Sequence, residues 1–253
     1  MAKRTFLDPQ LGELTEDRLT RDYVVYQRRR GHRFSSDDMA TAYVAFAVAS
    51  QAPRIVDLGC GLGSVLLTLA WKMPNATLTG IEAQEGSFEL LRRNVARNEL
   101  GARVTIHHGD LRDPTHLAAL EGLVPLVTGT PPYFPADAAL DADDAQRAYA
   151  RVEHRGGVEA YIEAAARLLT VDGHLVLCGD ARADVRVQTA ARGVGLHVVG
   201  RCEVIAQEGK PALFSVWTLA RHPRELASSR LTLRDREGQS TPDARRLREL
   251  SGF

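Results

Sequence analysis

The chain has 253 residues, enough for one large core or a core with a small appendage, and its 32 basic and 32 acidic residues balance to zero formal net charge. This balance excludes a strong overall field toward nucleic acid or membranes, so any nucleic-acid contact must come from a local patch. Three cysteines in apolar segments, no metal-ligand spacing, no signal-peptide pattern and no membrane-length apolar run lead us to expect a cytoplasmic protein without disulfides or metal.

The first part of the chain predicts a strand pair and a helix. A weakly alternating stretch over residues 18–34 predicts two strands that close at Arg30-Gly31-His32. Apolar side chains recur on one face over residues 37–50, which predicts a helix capped by Ser35 or Ser36. Four arginines of this region fit either a phosphate grip or a solvated hairpin rim: Arg28, Arg29, Arg30 and Arg33.

Residues 54–64 are the stretch around which the sequence is organised, a short apolar strand followed by a glycine loop and a helix. Gly59, Gly61 and Gly63 let the backbone turn sharply and approach a ligand, and Ser64 is the expected N-cap of the helix. Neither frame of the loop fits the dinucleotide fingerprint G-x-G-x-x-G. Asp57 at the strand end would repel a pyrophosphate and hold a cationic amino-acid end, which favours S-adenosylmethionine.

A second strand is predicted over residues 76–82 and ends in Glu82, where doubly wound folds place a ribose-binding carboxylate. Together with Asp57 and the glycines, it resembles the first two motifs of class I S-adenosylmethionine-dependent methyltransferases, which share a Rossmann-like fold. A glycine turn that binds no ligand is the alternative. The resemblance implies a set of cofactor-binding residues: Asp57, Gly59, Cys60, Gly61, Gly63, Glu82 and Ala83.

A helix over residues 85–98 is expected to stop at Gly101, and residues 103–107 form a third predicted strand. The resemblance implies that Asp110 accepts a hydrogen bond from the adenine amino group of the cofactor, with Leu111 beside it. His107 and His108 are expected to flank the strand without a catalytic role. A short helix over residues 114–120 leads to a fourth strand at 123–128.

Thr130-Pro131-Pro132-Tyr133 follows this fourth strand, where open α/β sheets bind their ligands. It resembles the Asn/Asp-Pro-Pro-Tyr/Phe motif of enzymes that methylate planar nitrogen, although Pro-Pro-Tyr also occurs in plain loops. In that motif a side-chain oxygen and a proline carbonyl accept from the amine, and the aromatic ring stacks on the target. The resemblance implies catalytic roles for all four residues and a cofactor contact for Thr130. Thr130 replaces Asn or Asp with a shorter hydroxyl, which leaves the acceptor atom open.

The rest of the chain predicts the remainder of an α/β sheet. A turn at Val171-Asp172-Gly173, a strand at 174–178, helices at 160–169 and 182–192, and strands at 196–205 and 212–219 would complete seven strands, the last antiparallel. The acidic loop after Tyr133 would repel phosphate and argues against a large RNA substrate. Its acidic residues are Asp137, Asp141, Asp143 and Asp144.

Further stretches resemble the bacterial tRNA adenine-N6 methyltransferases over nearly the whole chain. Ser35-Ser36-Asp37 takes the place of a Gly/Ser-Thr/Ser-Asp triplet, which implies that Ser36 and Asp37 bind the cofactor. The other stretches are Gln146-Arg147-Ala148-Tyr149-Ala150-Arg151, Leu231-Thr232-Leu233-Arg234-Asp235 and Thr241-Pro242-Asp243 before a short helix.

The sequence therefore predicts a short N-terminal extension over residues 1–50 packed on a class I methyltransferase domain over residues 51–253. The expected activity is S-adenosylmethionine-dependent N-methylation, with tRNA as one possible acceptor. A small molecule or a protein side chain is the alternative acceptor, favoured by the zero net charge and the acidic loop. A cofactor-binding protein without catalysis, in which Thr130 marks a decayed site, is a third interpretation.

Overall fold

The computed structural model describes residues 4–133, 153 and 156–253. Strands in the described part are β1 Arg4–Asp8, β2 Gly12–Arg18, β3 Val24–Arg28, β4 Arg54–Leu58, β5 Thr77–Glu82, β6 Val104–His108, β7 Val124–Gly129, β8 Leu169–Gly179, β9 His197–Ile205, β10 Ala212–Ala220 and β11 Ala227–Thr232. The α-helices there are α1 Ser36–Ala49, α2 Ser64–Lys72, α3 Glu85–Arg97, α4 Val158–Leu168, α5 Asp184–Gly193 and α6 Pro242–Leu250.

The main sheet has the order β11-β9-β10-β8-β7-β4-β5-β6, and within it only β10 runs antiparallel to its neighbours. The α/β Rossmann-like prediction is therefore confirmed, including the antiparallel strand. The predicted count of seven is wrong for this sheet, because β11 adds an eighth strand parallel to β9. The chain order reverses between β4 and β7, and such a switch point opens a crevice at the carboxyl ends of the strands.

Apolar side chains cover both faces of this sheet. Strand β4 is buried from Ile55 to Leu58, as expected for a parallel strand between two helical layers. One core lies under α1, α2 and α3, and the second lies under α4 and α5. Each fully buried Leu or Ile contributes about 1.5–3 kcal/mol, so these layers hold the strand ends in fixed positions.

A separate antiparallel sheet, β1-β2-β3, forms the N-terminal part of the chain. The prediction that its strands close at Arg30-Gly31-His32 is wrong, because the chain already turns at residues 19–23. There the Thr20 hydroxyl accepts from the backbone amide of Tyr23 at 2.9 Å, and a hydroxyl turn of this kind fixes the strand ends. The sheet packs on α3, where Asn94 accepts from the amide of Tyr26 at 2.7 Å.

Element boundaries differ from the sequence predictions at two helices. Gly63, with φ of 96°, is the N-cap of α2, and Ser64 is already helical, so the predicted Ser64 cap is wrong. The α3 helix is followed by Glu99 in the left-handed region at φ 58°, so the expected stop at Gly101 is wrong as well. In both cases the chain turns earlier than the residue chosen from its capping propensity.

One predicted segment is confirmed and one differs. The short helix predicted over residues 114–120 is confirmed as a 3₁₀ helix, Pro114–Leu120. The predicted turn at Val171-Asp172-Gly173 lies within β8, at a register irregularity between β7 and β8. The predicted helix α1 is confirmed, with Ser35 as its N-cap, and the three cysteines are free and buried.

Two predicted features lie outside the described residues: the acidic loop with Asp137, Asp141, Asp143 and Asp144, and the stretch Gln146-Arg147-Ala148-Tyr149-Ala150-Arg151. In the part of the chain that the structure describes, no helix is both long and apolar enough to span a membrane. The same part contains no group of His, Cys, Asp or Glu side chains arranged to hold a metal ion.

Candidate active site

A cavity opens at the carboxyl ends of β4, β5, β6 and β7, beside the switch point of the sheet. Its walls come from the glycine loop, the ends of four strands, the start of α1 and one residue of α4. The lining residues are His32, Asp38, Gly59, Cys60, Gly61, Leu62, Ser64, Ile81, Glu82, Ala83, Gln84, Ser87, Gly109, Asp110, Leu111, Thr130, Pro132, Gly156 and Tyr161.

The glycine loop forms a wall of this cavity from backbone atoms. Gly59 and Gly61 have φ values of 58° and 56°, a region in which a side chain is strained. Gly59 has a second constraint, because a Cβ there would overlap the hydroxyl of Tyr161. The amide of Gly63 donates to the carbonyl of Cys60 at 2.8 Å, which closes the loop before α2 begins. Backbone groups therefore reach the cavity wall without side chains in the way.

Glu82 joins the glycine loop to the end of β5. One carboxylate oxygen accepts from the amide of Gly61 at 2.8 Å, and the other accepts from the amide of Gln84 at 2.6 Å. Hydrogen bonds from amides to a carboxylate are among the stronger ones in proteins. Glu82 lines the cavity, as does the neighbouring Ala83. Glu82 therefore holds the glycine loop in place, in addition to the ligand contact expected from the sequence.

Asp57 lies at the end of β4, only 1% exposed, and is not among the lining residues. Its Oδ1 accepts from the Thr128 hydroxyl at 2.7 Å, whereas Oδ2 has no hydrogen-bond partner among the described residues. Burial raises the pKa of this carboxyl to about 7. Asp57 therefore lies beneath the cavity surface, and its contact with the cofactor stays a prediction. A cation bound in the cavity would favour the charged form of this carboxyl and would make it a negative charge beneath the cavity wall.

Asp38 is the carboxylate that the start of α1 contributes to the cavity. Its Oδ2 accepts from the amide of Ser35 at 2.9 Å, and burial, followed by the charge of Asp37, raises the pKa of Asp38 above its ordinary value. Sequence reasoning selected Ser36 and Asp37 and missed Asp38. Neither Ser36 nor Asp37 lines the cavity. The Ser35-x-x-Asp38 capping pattern was the signal that could have pointed to a fixed acidic side chain here.

Asp110 and Leu111 line the cavity after β6, and the contact with the adenine of the cofactor that the family resemblance implies for them stays a prediction. The Asp110 carboxylate is held by Arg112, whose Nη2 lies 2.6 Å from Oδ2 and whose backbone amide donates to Oδ1 at 2.9 Å. This ion pair fixes the direction of the carboxylate. His107 and His108 belong to β6 and are absent from the lining.

The Thr130-Pro131-Pro132-Tyr133 segment reaches the cavity only in part. Thr130 and Pro132 line it, whereas Pro131 is buried and Tyr133 faces away. The Tyr133 hydroxyl donates to Oδ2 of Asp37 at 3.2 Å and lies 3.2 Å from Sγ of Cys178. The ring that lines the cavity belongs instead to Tyr161 on α4, which sequence reasoning missed because a tyrosine on an amphipathic helix is typical of a core position.

The basic cluster before α1 is partly neutralised. Arg29 lies 2.7 Å from Glu13, and Arg33 lies 2.8 Å from the buried Asp17. Two of the four arginines therefore hold the N-terminal sheet together, which argues against a phosphate grip by these two side chains.

The charge of the cavity indicates the ligand that fits it. Asp38, Glu82 and Asp110 line it, Asp57 lies beneath it, and none of the described lining residues is a lysine or arginine. A pyrophosphate would be repelled by Glu82 and would hold Asp38 and Asp57 in their protonated forms, whereas a cationic ligand would favour the charged forms of both. The cavity therefore fits S-adenosylmethionine, which carries an ammonium and a sulfonium group.

Comparison with known proteins finds similarity to methyltransferases. The family described as a methyltransferase domain matches residues 55–157 of this chain. The tRNA1(Val) (adenine(37)-N6)-methyltransferase of Yersinia enterocolitica is 28% identical over 206 residues, covering 79% of this chain and 78% of that protein. The protein of the same name from Yersinia pestis is 27% identical over 204 residues, covering 79% of each chain.

Solved structures agree on the fold. A predicted O-methyltransferase from Agrobacterium tumefaciens superposes with a TM-score of 0.66 at 19% identity, covering 85% of this chain and 96% of that one. TYW2 of M. jannaschii in complex with AdoMet has a TM-score of 0.55 at 15% identity, covering 82% of this chain and 84% of that one.

Proposed function

Because the chain is an S-adenosylmethionine-dependent methyltransferase of class I fold, we propose that it methylates the exocyclic amine of an adenine in RNA, with tRNA as the expected substrate. The observation that carries the proposal is the position of Thr130 and Pro132, which line the cofactor cavity at the end of β7. The names of the curated relatives support the same acceptor.

The cofactor, when bound, would supply an electrophilic methyl group: the nitrogen–carbon bond would form as the sulfur–carbon bond breaks, leaving a neutral thioether, and the nitrogen would release one proton to solvent. The residues of this chain have to hold the acceptor nitrogen in line with it, because the lone pair of an aromatic amine is delocalised into the ring. In the proposed reaction the Thr130 hydroxyl and the Pro131 carbonyl accept hydrogen bonds from the amine. These bonds strengthen as positive charge develops on the nitrogen, so they favour the transition state over the bound substrate.

Other residues of the site prepare this geometry. Glu82 holds the glycine loop through the amide of Gly61, and Asp110 is fixed by Arg112. Tyr161, only 6% exposed, covers Gly59 and Gly129 and keeps water from the wall beneath the loop. In the proposed function Glu82 binds the ribose and Asp110 the adenine of the cofactor, and Asp38 and Asp57 stabilise its cationic end.

A second candidate is methyl transfer to a small molecule or a protein side chain. Two observations favour it: the Thr130 hydroxyl is a shorter acceptor than an amide, and none of the described lining residues is a lysine or arginine that could hold a phosphate. An uncharged acceptor would enter such a cavity without electrostatic cost.

Fractionation of the acceptor separates the two candidates. Cell extract is divided into RNA, protein and small-molecule fractions, and each is incubated with the enzyme and cofactor labelled in the methyl group. We expect label in the RNA fraction that becomes soluble on ribonuclease digestion. A Glu82→Ala control should incorporate little label in any fraction. Label confined to the protein or small-molecule fraction would refute the RNA proposal and support the second candidate.

A further inference from the structure

A second depression lies beside the active cavity, between the end of β2, the start of α1 and the last helix. We call it the tail groove, and its volume is about 470 Å³, within the range of ligand-binding sites. Its lining residues are Arg18, Leu19, Phe34, Ser36, Met39, Leu233, Arg234, Ser240, Ala244, Leu247, Arg248, Ser251 and Phe253.

The tail groove and the active cavity share a wall. His32 and Asp38 face the cavity, whereas Phe34, Ser36 and Met39 face the groove. Residues 32–39 therefore contribute to the walls of both. A substrate that extends beyond its methylated group has this groove as its neighbouring surface.

The rim of the groove is positively charged. Arg18, Arg234 and Arg248 are all exposed, and the described lining contains no aspartate or glutamate. The hydrogen bonds that two of them make go to neutral oxygens, from Arg234 to the Gly238 carbonyl at 2.7 Å and from Arg248 to the Ser240 hydroxyl at 2.9 Å. Unlike Arg29 and Arg33, none of these arginines forms an ion pair with a described carboxylate side chain. Arg18 interacts with the more distant carboxylate of Asp22 through its charge, so Arg234 and Arg248 are the two whose charges are most available to an anion.

The base of the groove is apolar and partly aromatic. Leu19 and Leu247 are buried, whereas Phe253 is 51% exposed and Phe34 is half-buried. An exposed aromatic ring between arginines matches the two parts of a nucleotide, because the ring offers a stacking surface for a base and guanidinium groups pair with phosphates.

We propose that the tail groove holds a nucleotide of the RNA strand that flanks the methylated adenine, with the three arginines on its phosphates and Phe253 against its base. This assignment rests on the proposed function and extends it from the acceptor base to the surrounding strand. It also locates the RNA contact away from the acidic cavity, which resolves the conflict between a negatively charged active site and a polyanionic substrate.

Binding of a fluorescein-labelled RNA stem-loop, measured by anisotropy across a salt series, tests the proposal. The variant Arg18→Gln/Arg234→Gln/Arg248→Gln should weaken binding and reduce the slope of log affinity against log salt by about 2, at ~0.7 per lost phosphate contact. Phe253→Ala should weaken binding about tenfold without changing the slope, because stacking carries no charge. The matched control Arg4→Gln/Arg192→Gln/Arg224→Gln removes the same charge from exposed positions outside the groove and should leave the slope unchanged.

Several outcomes would overturn the assignment. Equal losses in the groove variant and the control would mean that overall charge alone holds the RNA. Displacement of the probe by poly-glutamate as efficiently as by unlabelled RNA would point to an acidic peptide. If wild type methylates RNA and the groove variant binds it unchanged, the groove proposal fails while the proposed function stands. If wild type neither binds nor methylates RNA, the proposed function fails with it.

Discussion

The hydroxyl of Tyr133 donates to Oδ2 of Asp37 across 3.2 Å and thereby connects the loop after β7 to the first turn of α1. The two residues are 96 positions apart in the chain. This hydrogen bond joins the Thr130-Pro131-Pro132-Tyr133 segment to the start of α1. Asp38, which follows Asp37 in the chain, lines the cavity directly.

Two variants separate the hydrogen bond of the Tyr133 hydroxyl from the packing of its ring against the core. We expect Tyr133→Phe to lower the free energy of unfolding by about 1 kcal/mol, the usual cost of one hydrogen bond, and to keep turnover within a few-fold. Tyr133→Ala removes the ring as well and should reduce turnover strongly. Urea unfolding and initial rates of both variants provide the measurement. A Tyr133→Phe enzyme as inactive as Tyr133→Ala would show that the hydroxyl itself is required.

Glu82 should control cofactor affinity through the glycine loop. Glu82→Ala removes both acceptors, for the amides of Gly61 and Gln84, and we expect about a hundredfold weaker S-adenosylmethionine binding by calorimetry. Glu82→Gln keeps one neutral acceptor and should lose less. Unchanged affinity in the alanine variant would remove Glu82 from the cofactor site.

Gly59 and Gly61 allow a matched comparison of how an added side chain affects stability. Gly61→Ala introduces only backbone strain, because nothing lies within 4 Å of the position that the new Cβ would take, and should cost about 1–2 kcal/mol of stability. Gly59→Ala has the same strain plus a steric overlap with the Tyr161 hydroxyl, so its loss should be larger. Adding Tyr161→Phe should restore part of the difference in urea unfolding. Equal losses for the two alanine variants would contradict the steric overlap between a side chain at position 59 and the Tyr161 hydroxyl.

The raised pKa of Asp57 predicts that stability depends on pH. Burial raises the pKa of Asp57 to about 7, so between about pH 4 and 7 the folded state holds a proton that the unfolded state has released. The free energy of unfolding should therefore fall as pH rises through this window, with a slope of at most about 1.4 kcal/mol per pH unit from this group.

The Asp57→Asn variant tests the assignment, because asparagine does not titrate. Unfolding of the apoprotein in urea at pH 5 and pH 8 should show a smaller difference for this variant than for wild type. Asp38, whose pKa burial also raises, contributes in the same direction and is present in both proteins. An identical pH difference in the two proteins would mean that Asp57 titrates normally.

Much of this site follows from local sequence patterns. The glycine loop, Glu82, Asp110 and Thr130 each lie at or just after the end of a strand, and the carboxyl ends of neighbouring parallel strands meet at one edge of a sheet. Hydrophobic patterning reveals strand ends and therefore predicts the positions of the glycine loop, Glu82 and Thr130, whereas Asp110 was selected through the family resemblance.

Other features depend on distant contacts. Whether Asp37 or Asp38 faces the cavity is decided by how α1 packs on the sheet, and the direction in which Tyr133 points depends on its contact with Asp37. The eighth strand forms because β11 pairs with β9, a parallel pairing that no local pattern specifies. Tyr161 contacts the glycine loop from a helix about 100 residues later in the chain. The periodicity of that helix predicts that Tyr161 is buried, but it does not predict which residues the ring contacts.

The most direct test of the proposed reaction is the identity of the methylated nucleoside. Unmodified tRNA transcripts are incubated with wild-type enzyme and cofactor carrying a deuterated methyl group, digested to nucleosides and analysed by mass spectrometry. Thr130→Asn is run in parallel, because a longer amide acceptor should preserve or raise turnover on an aromatic amine. We predict deuterated N6-methyladenosine in both reactions. A label on a ribose oxygen or on another base would contradict the proposed methylation of the adenine amine. A Thr130→Asn enzyme inactive on the substrate that wild type methylates would contradict the proposed acceptor role of Thr130.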